Sequence, residues 1–307
     1  MLADGTGIFL RGDDAVQFGL DGTRAGIIPT QRPVDLAVAL SPARVGTTRS
    51  ELISRIKLAG FPASVAAGIV DDLVAFGVLR TFERLNRVAV LGTSALASEL
   101  VKLLETSGFR VRWLRDSSAP KDQITGVPPE MPVVVVDQWA HAYPLAPVLK
   151  DHFPQTLSVA GLDARGIVGP ARIAGEGPCP VCIDLRYAES DPAWTTLTAQ
   201  TILRWVPSQP DLDHPAPSAE RLTPTVEPDP AIRAATAAVA VAQLRAMLNV
   251  ATPPGERPRV LPGAVIEVNL FGPHRERIIA PHPTCPICSH SSRSLKKRAP
   301  RRRATAS

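Results

Sequence analysis

All four cysteines of this 307-residue chain sit in two short knuckles of the same design, Cys179-Pro180-Val181-Cys182 and Cys285-Pro286-Ile287-Cys288. A two-residue gap lets both sulfurs of a knuckle turn toward one ion, and two knuckles complete a tetrahedron. Zinc suits four thiolates and leaves no open position, so such a site staples a fold rather than catalyses. Disulfides, a redox pair and unrelated thiols compete with this reading. Disulfides are rare in reducing compartments, and a redox motif is normally a single pair near a strand–helix turn. We therefore expect Zn(2+) on Cys179, Cys182, Cys285 and Cys288. The 102 residues between the knuckles mean that the metal ties the C-terminal end of the chain back to its middle. His282 and His290 flank the second knuckle and are read as bystanders.

Charge is unevenly spread. The chain carries a formal +5, but residues 291–307 hold seven basic residues and no acid, so the remainder is at −2 (27 basic against 29 acidic). This tail is read as a basic, disordered end. A nucleic-acid arm is the competing reading, but no aromatic side chain interleaves the charges to stack on bases. No apolar run approaches the ~18 residues of a membrane span, and the first residues lack a basic stretch followed by an apolar one. The expectation is a cytoplasmic protein that makes no use of a membrane.

Two domains are expected. Residues 1–83 read as three short strands followed by three helices. Ile8 to Leu10, Val16 to Leu20 and Arg24 to Ile28 carry the strands. Val34 to Leu40, a segment after the N-cap Thr48, and Pro62 to Phe76 carry the helices, and Gly77 stops the last. That order is winged-helix-like. From Arg87 onward strands and helices alternate: Val88 to Leu91, a helix over 94–106, Arg110 to Leu114, Pro132 to Val136, a helix over 142–151, then Thr156 to Ala160. Continuous apolar strands of this kind predict a Rossmann-like α/β domain, with a parallel sheet covered on both faces, over residues 86–290. Residues 207–230 hold seven prolines and read as a loop, 231–248 as an Ala-rich helix, and Val265 to Leu270 as a further strand.

The second domain resembles the ThiF/MoeB group, relatives of ubiquitin-like modifier activating enzymes. Gly177-Pro178-Cys179-Pro180-Val181-Cys182 is similar to that family's G-P-C-x-x-C, and His282 to Cys288 to its closing P-x-C-x-x-C. The resemblance implies an ATP site on a glycine loop. Here the loop reads Gly92-Thr93-Ser94-Ala95-Leu96-Ala97 against the family's G-x-G-G-L-G, so side chains stand where phosphate oxygens must pass. Gly92 and Asp116, the latter in the place of a ribose-binding acid, would be remnants of a nucleotide site. Asp137 lies near the family's metal-binding Asp, with Gln138 in place of the usual Asn. Only Ser117 to Met131 separates the strands where the family supplies phosphate-neutralising Arg and Lys. With all four cysteines on zinc, none remains as a thioester nucleophile, so no catalytic residue is assigned.

The first domain resembles the PqqD-like peptide-recognition module, through Asp72-Leu73-Val74-Ala75-Phe76-Gly77-Val78-Leu79. Strand addition would be its mechanism, with Gln17 to Leu20 and Arg24 to Ile28 as candidate edges and the third helix as the pocket wall. The fusion resembles the leader-binding "cyclodehydratase" partner proteins of thiazole/oxazole-modified peptide (RiPP) pathways. It implies a precursor or leader peptide and a YcaO-type catalytic subunit as partners, with a homodimer possible. An ATP-dependent adenylating enzyme acting on a peptide or sulfur-carrier C-terminus, and a winged-helix DNA-binding regulator, are the alternatives. Ser94 lacks the G-x-S-x-G surroundings of a nucleophile, and His141, His152, His214 and His274 show no ligand spacing. Trp113, Trp139, Trp194 and Trp205 are read as core or interface anchors.

Overall fold

The computed structural model describes residues 1–3, 5–22, 26–80, 86–115, 120–201, 228–248 and 259–288. Asp116, Trp205, His214, His290, most of the proline-rich stretch and the basic tail lie outside the described residues. The chain divides into two compact units, Met1–Leu85 with Leu248–Arg259, and Asn86–Met247 with Val260–Ser307.

In the first unit β1 (Ile8–Arg11), β2 (Ala15–Phe18) and β3 (Gly26–Pro29) form an antiparallel meander in that order. Three helices follow: α1 (Pro33–Leu40), α2 (Arg49–Leu58) and α3 (Ala63–Ala75). Thr48 caps α2, its hydroxyl accepting from the Glu51 N–H at 3.1 Å, as the Thr-x-x-Glu spacing predicts. Gly77, at φ +73°, ends the third helix in the left-handed region that a Cβ disfavours. Val78 and Leu79 then return toward the N-terminus, where Leu79 bridges Leu2. Alternation along the strands sends Ile8, Val16, Phe18 and Ile28 into a core with Leu36, Leu40, Ile56, Val70 and Leu73. Gln17 to Leu20 is not an edge. Phe18 and Gln17 belong to β2, which is paired on both sides, so its backbone groups are already used.

The second unit is built on a seven-stranded sheet. Its members are β4 (Arg87–Leu91), β5 (Arg110–Leu114), β6 (Val133–Val136), β7 (Thr156–Leu162), β8 (Arg165–Arg172), β9 (Ala264–Val268) and β10 (Arg275–Ile278). They lie in the order β10-β9-β8-β7-β6-β4-β5. The run β5-β4-β6-β7 is parallel, as the strand–helix alternation predicts. From β7 to β10 every pairing is antiparallel, which corrects the expectation of a parallel sheet throughout. Only two residues, Asp163 at φ +52° and Ala164, separate β7 from β8, so no helix can cross over and the chain must reverse. Strand β8 was hidden in the sequence by Gly166, Gly169 and Pro170, which break its apolar run.

Both faces of the parallel half are covered. Ala89, Leu91, Val133 and Val135 share a core with Ile124 of α5 (Pro120–Thr125) and Leu145 and Leu149 of α6 (Ala142–His152). Their neighbours Val88, Val90, Val134 and Val136, equally buried, point to the other face by the two-residue period. There α4 (Ala95–Thr106) packs against a long C-terminal helix, Pro230–Met247. Two helices, α7 (Pro180–Ser190) and α8 (Trp194–Gln200), precede that one, which is therefore α9. Among the described residues no helix is long and apolar enough to cross a membrane.

Truncating a fully buried leucine removes its transfer free energy and leaves a partly uncollapsed void. Leu36→Ala and Leu104→Ala should each cost about 2–5 kcal/mol in urea unfolding. Val45→Ala, at a position 86% exposed, should stay within about 0.5 kcal/mol.

Candidate functional site

The structure brings the four cysteines together. Cys179 is the residue that precedes α7, Cys182 lies in its first turn, and Pro180 at the helix start fits a position whose N–H has no helical partner. Backbone bonds Cys182 N–H to Cys179 C=O (3.0 Å) and Cys285 N–H to His282 C=O (3.1 Å) shape the two knuckles. Sulfur separations are 3.8 Å for Cys179–Cys182, 3.6 Å for Cys179–Cys285 and 3.6 Å for Cys182–Cys288. All four sulfurs lie within 4.8 Å of one another, close enough to hold one metal ion. Lys150 of α6 donates to the Ile287 carbonyl and so braces the second knuckle from the sheet side.

Four thiols this close cannot ionise independently. S–H contact with Cys182 and Cys288, together with burial, pushes the Cys179 thiol up. Contact with Cys179 lowers the Cys182 thiol, but Cys288 and burial outweigh it and carry the group up to about 12. Cys288, half-buried and receiving the S–H groups of Cys179 and Cys182, falls to about 2. Thiols so close and so buried oppose one another's ionisation, and a metal would have to displace the protons they keep.

His282 is buried beside this cluster but turned away from it. Its Nδ1 accepts from the Thr284 N–H at 3.3 Å, which leaves Nε2 as the ring donor to Glu189 Oε1 at 2.9 Å. It therefore positions the loop rather than joining the sulfurs. Trp194 and Tyr187 stack at 4.3 Å, with Trp139 edge-on to both, and buried Asp184 accepts from the Trp194 indole at 2.7 Å. This aromatic group is the interior anchor expected of Trp139 and Trp194.

The end of β4 is the second place the sequence singled out. Gly92 takes φ +149°, and a Cβ there would come within 2.6 Å of the Val136 carbonyl oxygen. Its own carbonyl accepts from the Trp113 indole at 2.8 Å, and Arg115 lies 3.7 Å over the Trp113 ring. Ser94 caps α4, its Oγ accepting from Ala97 N–H at 3.2 Å, and donates to Asp137 Oδ2 at 2.5 Å. Asp137 Oδ1 in turn accepts from Gly161 N–H at 2.8 Å. A carboxylate of the protein thus complements the positive end of the α4 dipole, the feature that binds phosphate in nucleotide-binding loops. The sequence placed Ser94 inside the helix, whereas it is the residue that caps it, and its bond to a residue 43 positions on has no local sequence signal.

In the first unit, β1 and β3 are the two edges of the meander. The Thr30 N–H to Asp14 C=O bond (2.7 Å) fixes the hydrogen-bonded pairs between β2 and β3. By alternation, Ile27 turns its N–H and C=O outward, and Pro29 offers only a carbonyl. The Gly19 N–H to Gly7 C=O bond (2.9 Å) does the same for β1, whose outward groups belong to Ile8 and Leu10. The third helix exposes Val65 and Phe76, the latter 71% accessible, with Ile69 half-buried between them on the same side. Gly26 of β3 lies against Val78, just beyond that helix.

No family model and no curated protein matches the chain. Solved structures do. A heterocyclase in complex with substrate and cofactor aligns over 94% of this chain and 39% of its own, with a TM-score of 0.55 at 12% identity. The heterocyclase TruD aligns over 94% of this chain and 42% of its own, with a TM-score of 0.54 at 14% identity. The E. coli enzyme MccB aligns over 94% of this chain and 96% of its own, with a TM-score of 0.47 at 10% identity. The chain thus spans about two fifths of the length of the two heterocyclases and shares the fold of that part.

Removing the Asp137 carboxylate would strand the Ser94 hydroxyl and the Gly161 N–H. Asp137→Ala should lower stability by about 1–3 kcal/mol in chemical denaturation, whereas the exposed Asp72→Ala should leave it nearly unchanged.

Proposed function

We propose that the chain is a scaffold that binds a precursor peptide and presents it to a separate YcaO-type cyclodehydratase. The observation that carries this reading is the open edge of β3, where Ile27 turns its N–H and C=O outward and Gly26 lies against Val78, just beyond the third helix. A peptide strand added there would gain main-chain hydrogen bonds from the edge and side-chain contacts from Val65, Ile69 and Phe76. The fold shared with part of two heterocyclases supports the same pathway class. Holding substrate and catalytic subunit together raises their effective concentration and requires no chemistry from the scaffold itself. In this reading the first unit is a PqqD-like module, and the Gly92 turn, closed by Trp113, Ser94 and Asp137, serves structure.

Fluorescence polarisation with a labelled leader segment of a thiazole/oxazole precursor tests the reading. Saturable binding at about micromolar Kd or tighter is expected. Ile27→Pro deletes the outward N–H and should weaken binding at least about tenfold. Leu10→Pro, which makes the same deletion on the other edge, should not. Binding lost only in Leu10→Pro would place the peptide on β1 instead, and no binding to any leader would remove the scaffold reading.

We also assign the sulfur cluster to zinc, in a structural role. A tetrahedron with Zn–S bonds of about 2.3 Å places its sulfurs about 3.8 Å apart, close to the separations found here. Cys179, Cys182 and Cys285 are buried and a fourth thiolate completes the set, so the ion would have no open position for catalysis. Thiols that the cluster keeps protonated must lose those protons on binding. Affinity should therefore rise with pH, steadily between about pH 6 and 8, in competition titrations against a chromogenic chelator. Cys182→Ser should abolish stoichiometric zinc in elemental analysis of the purified chain.

A further inference from the structure

The seven-stranded sheet of the second unit ends in β10, whose far side has no strand beside it among the described residues. All four of its residues, Arg275 to Ile278, are exposed. Pairing with β9 fixes which backbone groups are left over. Ile279 donates its N–H to the Gly263 carbonyl at 2.9 Å, and Arg277 and Arg275 follow at two-residue steps, opposite Val265 and Glu267. By antiparallel alternation, Glu276 and Ile278 therefore turn their N–H and C=O outward. Such an edge is a template for a further strand.

The side chains along this edge carry a surplus of positive charge. The two-residue period puts Arg275 and Arg277 on the face that also holds Arg165 of β8 and Glu267 of β9. Arg165 takes Glu267 for itself, at 3.2 Å. Arg275 and Arg277 have no ion pair among the described residues. Helix α7 lies over the same face. Its Arg186 donates to the Ala280 carbonyl at 2.9 Å, just beyond β10. Burial pushes the Tyr187 phenol up, Arg165 and Arg277 pull it back, and Glu267 adds to the rise, so these charges lie around one hydroxyl of α7.

Three arginines against one acid, beside open backbone groups, suit an extended chain whose acids recur at every second residue. In an antiparallel peptide with acids opposite Arg275 and Arg277, the residue between them lies beside Glu276, where a lysine fits. The next lies beside Ile278, where an apolar side chain fits. A second copy of this chain is a poorer occupant. Pairing β10 with itself about residue 276 or 277 sets an arginine directly opposite an arginine, which is destabilising.

We infer that β10 takes up an extended acidic segment of a partner protein by strand addition, with acids two residues apart on Arg275 and Arg277. The inference concerns the second unit alone. It does not rest on peptide binding at β3, and either can fail without the other.

The probe is the peptide Thr-Val-Glu-Lys-Glu-Val-Thr, blocked at both ends and titrated into the full chain labelled with ¹⁵N-isoleucine. Ile278→Val identifies the Ile278 amide signal by its disappearance. That N–H gains a hydrogen bond, so its signal should move downfield and saturate. The isomer Thr-Val-Lys-Glu-Glu-Val-Thr can set only one acid on the arginine face and should need at least about threefold more peptide. Arg275→Glu and Arg277→Glu together should raise the requirement at least about tenfold, and added salt should weaken binding to the unaltered chain. An Ile278 signal that stays still overturns the site, even where the peptide binds the basic residues 291–307. Equal response to the isomer, or in the double variant, overturns the acidic partner. A signal that moves with protein concentration alone would put a second copy on the edge in its place.

Discussion

Four sulfurs within 4.8 Å of one another, from knuckles 106 positions apart, are the constraint around which the second unit is arranged. The first knuckle starts α7 and the second ends the described chain, so everything between them must form a loop that closes on itself. Closing so long a loop is entropically costly, and the cost grows only slowly with length. The chain spends that length on α7, α8 and α9 and on two strands that extend the sheet. Lys150 then fastens the second knuckle to α6, and His282 fastens its approach to α7 through Glu189. Four thiols within 4.8 Å of one another, three of them buried, oppose each other's ionisation, a conflict that a cation would relieve.

A second constraint acts at the carboxyl ends of β4 and β6. Nucleotide-binding loops leave a helix N-terminus open so that phosphate can satisfy it. Here Ser94 and Asp137 satisfy α4 from within, and Asp137 spends its other oxygen on the backbone of β7. Trp113 fills the side of the same turn by donating to Gly92. One residue further along, the turn leaves Gln138 and Trp139 with unpaired atoms beside an apolar cavity.

Much of this architecture was legible because short-range rules decided it. Val88 to Leu91 and Val133 to Val136 are continuous apolar runs, and only a strand buried on both faces accommodates them. Thr48 announced its helix through capping chemistry, and Gly77 its helix end. The knuckles announced each other through spacing. Strand β8 escaped notice because Gly166 accommodates the close approach of Thr236 from α9, while Gly169 and Pro170 lie within the strand's pairing region. Those residues carry no strand signal until the neighbours that require them are known. Gln17 looked like an edge residue for a related reason. Its sequence does not say that β1 and β3 pair on either side of it.

The sequence by itself determined the local elements, the two-part organisation read from the change in pattern at Arg87, and the four sulfurs as one set. Each follows from periodicity, capping or ligand spacing, which act over a few residues or through an unmistakable residue type. Only the tertiary structure decided that the sheet turns antiparallel after β7, which edge of the meander presents Ile27, that Asp137 serves the α4 terminus, and that a mostly apolar cavity opens beside Gln138 and Trp139. These depend on pairings between distant segments, where the same side chain can be satisfied in several ways and packing selects one.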